Sequence, residues 1–283
     1  MTLTKHLPLE VVRRCYAEDV RFRSGMRSEA LCEAFATVPR EHYLGPGPWE
    51  VVGQGGGATD DDDPRQLYHD VLIAIDASKH LNNGMPSALA AWLDSLEVKA
   101  GHRVLHTGCG LGYYTAILAH VVGPEGHVTG LEIETVLAAR AKTNTAHLEN
   151  VTVIECDGIT YDPGPVDAIF INAGVTHPQP LWLDRLKPGG RLLVPLTAGV
   201  GGGWMMLVHR IGDKYEASFS SQVMIYSSPS GRDPKRNATL GRAFHETLQG
   251  KRPHLRSIRR DAHQADATCW MHGDDVCLST LAP

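Results

Sequence analysis

Over residues 9–38 the apolar positions Val12, Tyr16, Val20, Leu31, Ala34, Phe35 and Val38 recur at helical spacing, which predicts two helices broken at Ser24-Gly25. The pattern then lapses over 45–64. That stretch holds Gly45-Pro46-Gly47-Pro48, the triplet Gly55-Gly56-Gly57 and the run Asp60 to Asp63, a composition that predicts an exposed, mobile loop. Beyond it, short apolar runs alternate with helix-period segments. Strands are expected over 71–75, 104–107, 128–132, 151–155, 168–172, 192–195 and 205–210, and helices over 86–96, 115–122, 136–148 and 180–186. Strands and helices alternating at this spacing pair in parallel with helices on both faces, so 89–208 reads as a doubly wound, mostly parallel α/β core. A hairpin over 214–226 and a short helix over 242–249 follow, and the tail alternates weakly through Thr268, Trp270, His272, Val276 and Leu278. Three segments result: 1–88 with helices and a substrate or lid loop, a core over 89–230, and an extension over 231–283.

Composition narrows the class. The chain has 283 residues, 42% hydrophobic and 21% charged, which suits an ordinary globular protein with one main domain. No apolar run approaches the ~20 residues of a membrane span, and nothing after Met1 reads as a secretory signal, so a cytoplasmic location without membrane contact is expected. A net charge of −5 argues against a nucleic-acid partner. The cysteines Cys15, Cys32, Cys109, Cys156, Cys269 and Cys277 form no C-x-x-C pair, and the fifteen histidines are dispersed; no disulfide framework and no metal site are expected.

The strongest chemical signal is Val104-Leu105-His106-Thr107-Gly108-Cys109-Gly110-Leu111-Gly112, a buried strand ending in a glycine turn that opens a helix at Tyr113. Glycines there permit a tight turn and a close backbone approach to a ligand at the helix N-terminus. Glu132, at the end of the next strand, is placed to accept hydrogen bonds from ribose hydroxyls, and Asp157, followed by Gly158, to receive an exocyclic adenine amine. These positions fall at the carboxyl ends of strands, where open α/β sheets bind ligands. A pyrophosphate would call for G-x-G-x-x-G, so an adenosine cofactor without one, S-adenosylmethionine, is preferred over a nicotinamide dinucleotide.

Several motifs in combined order carry a resemblance. They are Phe35-Ala36-Thr37-Val38-Pro39-Arg40-Glu41, the strand and glycine turn through Ala116, Gly126-His127-Val128, Glu132, Asp157-Gly158, and Leu186-Lys187-Pro188-Gly189-Gly190-Arg191-Leu192 with Pro195. In these the chain resembles the protein-L-isoaspartate O-methyltransferase family, over roughly 31–208. The resemblance implies a Rossmann-like class I methyltransferase fold with a mostly parallel seven-stranded sheet. It implies S-adenosyl-L-methionine as cofactor, S-adenosyl-L-homocysteine as product, and a peptide or protein carboxylate as acceptor. His106, Gly108, Cys109, Gly110, Gly112, Tyr113, Glu132, Asp157, Gly158 and Asn172 are the expected cofactor residues.

The chain departs from the family at one place. The family carries Thr-Ile-Ser-x-Pro before its first core helix, with the serine at the methyl-transfer centre. With Pro86 on the motif proline, Gly84 takes the serine position within His80-Leu81-Asn82-Asn83-Gly84-Met85-Pro86. A specialised acceptor is therefore expected, for example aspartate in a modified natural-product peptide. Asn83, Gly84 and His177 are the candidates at the reacting centre, with Tyr68, Asp70, Asn82 and Ser87 as substrate contacts. A carboxylate acceptor is already ionised at neutral pH and demands no general base, whereas a hydroxyl or amine acceptor would give His177 that role. Transfer to a small molecule is thus one alternative. The other is a non-catalytic cofactor-binding protein, or a homodimer built through the tail around Trp270, Cys269 and Cys277.

Overall fold

In the computed structural model, which describes residues 6–53, 56–199 and 201–283, the predicted break between the first helices is a glycine cap. Gly25 is left-handed (φ 68°) at the end of α1 (Leu9–Ser24), and the Ser28 side chain opens α2 (Glu29–Thr37) by accepting the Leu31 amide. There follow α3 (Arg40–Leu44), β1 (Glu50–Val52), β2 (Gly57–Ala58), β3 (Leu72–Asp76), β4 (Leu81–Asn82) and α4 (Pro86–Ser95). The central part runs β5 (Arg103–Thr107), α5 (Tyr113–Val122), β6 (His127–Glu132), α6 (Thr135–Thr145), β7 (Val151–Glu155), β8 (Val166–Ile171) and α7 (Pro180–Arg185). The chain ends with β9 (Leu186–Ala198), β10 (Gly202–Ile211), β11 (Lys214–Met224), α8 (Pro234–Leu248), β12 (Ser257–Arg259), β13 (Cys269–Met271) and β14 (Cys277–Ser279). Two compact units interleave along the sequence. The first takes the chain up to Gly101 together with Cys109–Glu155, the second His102–Gly108 together with Cys156–Pro283.

In the first unit α1 buries Val12, Tyr16, Ala17 and Val20 and packs against α2 and α4. Phe35 of α2 sits among the rings of Tyr16, Tyr113 and Tyr114, all in edge-on contact. The mobile loop expected over 45–64 is replaced in part by structure, with β1 pairing antiparallel to both β2 and β3. The reason is Trp49, which buries with Leu67 and Ile73 and receives cover from Leu44, Val51 and Val71, enough apolar surface to hold a small sheet. Gly55 of the glycine triplet lies outside the described residues. β6 and β7 pair in parallel, Val128 opposite Val151 through Glu132 opposite Glu155.

Arg40 anchors this unit. Its guanidinium is fully buried and donates to the carbonyls of Leu67 (2.5 Å), His69 (3.0 Å) and Val71 (2.8 Å), tying α3 to the segment before β3. A buried cation is costly unless its donors are used; Nη1 and Nη2 are used on these three carbonyls, while Nε is buried with no hydrogen-bond partner among the described residues.

In the second unit the strands follow the order β13-β14-β12-β11-β10-β9-β8-β5. Parallel pairing joins β5 to β8 and β8 to β9, as expected; every pair beyond β9 is antiparallel. The expected hairpin over 214–226 is instead the single strand β11, whose partner β10 is reached through a turn with left-handed Gly212 (φ 59°). The last three strands extend the sheet beyond the seven-stranded expectation, and Trp270 drives that. It is 1% exposed and packs against Phe219 (5.0 Å between ring centroids) and Phe244 (5.8 Å), so the tail folds onto its own unit. The dispersal of cysteine and histidine expected from sequence also fails here. Ligand atoms of His263, Cys269, His272 and Cys277 all lie within 4.8 Å of one another.

Replacing Arg40 with Met strips three carbonyls, that of the buried Leu67 among them, of their donor and should lower stability by about 3 kcal/mol. Urea unfolding measures this, and an unchanged midpoint would show that the buried guanidinium does not hold the unit together.

Candidate functional site

The glycine turn after β5 alternates left-handed residues: Gly108 (φ 74°), Gly110 (φ 57°) and Gly112 (φ 91°). Side chains are strained at each, which is why the sequence places glycines two apart. Gly112 is followed by α5 without any side-chain cap, so the first-turn amides of that helix lack an intrahelical partner.

In the first unit the turn is held by Glu132. Its Oε2 accepts the Gly110 amide (2.8 Å), while Oε1 accepts the amides of Ile133 (3.0 Å) and Glu134 (3.1 Å). The Cys109 amide donates to the Leu131 carbonyl (3.0 Å), which fastens the turn to the end of β6. Glu132 is 6% exposed, and burial pushes its pKa above the ordinary glutamate value, the three amides pulling it the other way. A carboxylate offers about four lone-pair sites, so three donors leave room for another. A side chain built at Gly110 would meet nothing within 4 Å, which leaves open space at the turn.

Tyr113, expected beside the cofactor, instead joins Tyr43, Phe35 and Tyr114 in the helical core. Tyr68 is likewise buried. Its hydroxyl donates to Glu41 and accepts from Arg13 Nε (2.8 Å) and the Arg40 amide (3.1 Å), a network that no local sequence pattern announces because its members lie far apart in the chain. Asp70 and Ser87 meet, but as a helix cap: Asp70 accepts the Ser87 amide (2.8 Å) and hydroxyl (2.7 Å) at the start of α4. Asn82 accepts the Gly84 amide (2.9 Å), and Asn83 accepts the Ile73 amide (2.8 Å). Asn83 Nδ2 is buried with no hydrogen-bond partner among the described residues. Gly84 is left-handed (φ 78°), and a side chain there would come within 2.8 Å of Leu89 Cδ2. The left-handed backbone favours glycine at this position, whereas the Leu89 methyl is the movable end of a side chain.

In the second unit β5 delivers Thr107 and Gly108. The Thr107 carbonyl accepts the Asn172 amide (2.8 Å) and Asn172 Nδ2 donates to the Gly108 carbonyl (3.3 Å), so the ends of β5 and β8 are clamped together. Gly158 packs so closely that an added Cβ would fall 2.2 Å from Thr107 Cγ2, and its carbonyl accepts the buried Trp182 Nε1 (3.1 Å). Thr107 and Trp182 were not singled out from sequence, since they support the turn only through this contact. Thr107 Oγ1 is buried with no partner among the described residues. Asp157 accepts the Ile159 amide on Oδ1 (2.9 Å), which leaves Oδ2 for another donor. His106 lies inside the sheet stacked on Phe170 (4.9 Å, 17°), and burial pushes its pKa down to about 3. His177 sits 3.0 Å from Thr176 Oγ1 and 3.4 Å from Gln179 Nε2; burial first, then Arg236, pushes its pKa down to about 4 against the opposing pull of Asp275 and Asp233.

Comparison with known proteins agrees with this architecture. The sequence profile of the family described as Protein-L-isoaspartate(D-aspartate) O-methyltransferase (PCMT) matches residues 58–227, more than half of the chain. The protein-L-isoaspartate O-methyltransferase of Methanothermobacter thermautotrophicus is 30% identical over 189 residues, 65% of this chain and 79% of that protein. Its counterpart from Ignicoccus hospitalis is 31% identical over 196 residues, 68% of this chain and 82% of that protein. A solved protein-L-isoaspartate O-methyltransferase superposes with a TM-score of 0.65 at 23% identity, covering 84% of this chain and 69% of the other. A Plasmodium falciparum structure described as the same enzyme, solved in complex with S-adenosyl-L-homocysteine, gives 0.61 at 18% identity, covering 76% and 97%. The likenesses bear out the expected class I α/β fold.

The two buried imidazoles set a pH dependence. Unfolded, each titrates near ~6.5, so between about 4 and about 6.5 the unfolded chain binds more protons and stability rises with pH. Urea midpoints across that window should show this slope, and His177→Asn should reduce it; an equal slope in the variant would mean that His177 titrates normally in the folded chain.

Proposed function

Because the chain belongs to the protein-L-isoaspartate(D-aspartate) O-methyltransferase family, we propose that it esterifies a side-chain carboxylate of a peptide or protein at the expense of S-adenosylmethionine. The observation that carries this reading is the glycine turn held by Glu132, with open space over Gly110 and an acceptor site still free on the carboxylate. We assign that site to a ribose hydroxyl. In the second unit, taken by itself, Asp157 keeps Oδ2 as an acceptor that would suit an amine, and the buried Thr107 Oγ1 lacks a partner among the described residues. When bound, the cofactor would supply a methyl group for transfer from its sulfonium to an oxygen of the acceptor's carboxylate, leaving S-adenosylhomocysteine.

The chain's own contribution is then alignment and the exclusion of water. A carboxylate acceptor needs no base, which suits a His177 that is neutral at pH 7 and already engaged by Thr176 and Gln179. Asn83 Nδ2, a buried donor, is the group we assign to the acceptor's carboxylate. The small-molecule and non-catalytic alternatives are not favoured by the family match. Nor is a tail-mediated homodimer needed, since Trp270 is spent within its own unit. Among the described residues no helix is long and apolar enough to cross a membrane, and a cytoplasmic site of action fits this reading.

Incubation with methyl-labelled cofactor and aspartate-containing peptides should give label that leaves as methanol on mild base treatment. An alkali-stable methyl on every product would contradict ester formation. Gly84→Ser, which restores the family residue, should fold less stably by about 1–3 kcal/mol because of the left-handed backbone, and should gain no turnover of isoaspartyl peptides. A stable Gly84→Ser variant with new isoaspartyl activity would overturn the argument that this loop disfavours serine.

A further inference from the structure

The C-terminal extension is anchored by Trp270 but is built from short strands. Its strands β12, β13 and β14 are three residues each, joined by a long irregular segment over 260–268 and a hairpin loop over 272–276. Segments this small generally need a staple beyond their apolar contacts.

Four side chains converge there. Cys269 opens β13, His272 follows its end, Cys277 opens β14 and His263 comes from the segment after β12, a spacing of His-x5-Cys-x2-His-x4-Cys. Pairing of β14 with both β12 and β13 brings them together, with Arg259 opposite Cys277 and Cys269 opposite Ser279. The ligand atoms of all four lie within 4.8 Å of one another. Around Cys269 the spacing is tighter, with Sγ 3.5 Å from His263 Nε2 and 3.8 Å from His272 Nδ1. Zinc bonds of about 2.3 Å to sulfur and about 2.0–2.1 Å to nitrogen put tetrahedral ligand atoms roughly 3.3–3.8 Å apart, so those two distances already match.

The surrounding contacts orient the donors. His263 Nδ1 donates to the Asp261 carbonyl (2.8 Å), which leaves Nε2 unprotonated and facing the sulfur. His272 Nε2 points toward Asp274 (3.9 Å to Oδ1), leaving Nδ1 for the centre. The Asp266 amide donates to Cys269 Sγ (3.4 Å) and Asp266 Oδ1 lies 3.6 Å from the same sulfur, contacts that fix where the sulfur sits. Two sulfurs and two imidazoles are the donor set that zinc prefers, and four protein ligands would close the site to substrate.

We propose that His263, Cys269, His272 and Cys277 form a structural zinc site that pins the C-terminal extension to the sheet. Zinc enters as the divalent ion, both thiols lose their protons to solvent, and the site becomes electrically neutral. The expectation of no metal site rested on the absence of a C-x-x-C pair, whereas here the pairs are Cys-x-x-His and two residues brought in by strand pairing.

The test is metal analysis of the full chain, purified without chelator. Plasma mass spectrometry should find about one zinc per chain, and Cys269→Ser or Cys277→Ser should each cut it by at least about tenfold, while Cys15→Ser on the exposed face of α1 should not. Should the serine variants fail to fold, exchange of cobalt into the unmodified chain gives an independent reading, through the visible bands of a tetrahedral site with thiolate ligands. A chain that carries no zinc and takes up no cobalt would overturn the proposal. So would a Cys269–Cys277 disulfide found by peptide mapping, or zinc retained in both serine variants.

Discussion

A single carboxylate sets the shape of the glycine turn. Glu132 accepts three backbone amides from two directions, Gly110 across the turn and Ile133 and Glu134 from its own strand end. The alternation of left-handed glycines supplies a backbone able to present the Gly110 amide, and burial makes the bonds costly to lose. Without that carboxylate, the Gly110 amide would be left unpaired at a half-buried turn. The space over Gly110 and the remaining acceptor site on Glu132 are thus consequences of one hydrogen-bond arrangement, and every role assigned to a nucleoside ligand starts from it.

Local patterns in the sequence disclosed the parts of the molecule governed by short-range rules. Helical spacing with Gly25 marked α1 and α2, and the β5 turn with Glu132 and Asp157 was readable because glycine spacing and strand ends are local properties. Long-range packing was not readable. Nothing near Arg40 signals three carbonyl partners about thirty residues away, and nothing near Tyr68 tells that its hydroxyl is consumed by Arg13 and Glu41. His106 shows the same limit. Its place in the motif put it beside the turn, but strand alternation turned it inward onto Phe170. Composition misled over 45–64 because one buried tryptophan outweighs many polar neighbours.

The loop at Gly84 and the extension are where this chain differs most from expectation. At Gly84 the backbone is left-handed (φ 78°), a conformation in which any side chain is strained. The neighbouring polar groups have been drawn into local bonds, Asn82 to Gly84 and Asp70 to Ser87, and only Asn83 keeps a buried donor to offer. In the extension, Trp270 supplies the apolar anchor while the His and Cys cluster lies at the opening of the β13–β14 hairpin. Trp270, Cys269 and Cys277 lie on three-residue strands, and His263 and His272 on the segments beside them, so the short strands and their neighbouring loops meet in one place.

The most direct measurement is calorimetric titration of S-adenosylhomocysteine into the unmodified chain and into Glu132→Gln, a change that keeps the volume but sets an amide donor either against the Gly110 amide or against the Ile133 and Glu134 amides. The unmodified chain should bind, and the variant should bind at least about tenfold more weakly. Equal affinities, or no heat from the unmodified chain, would contradict the assignment of Glu132 as the group that grips the sugar.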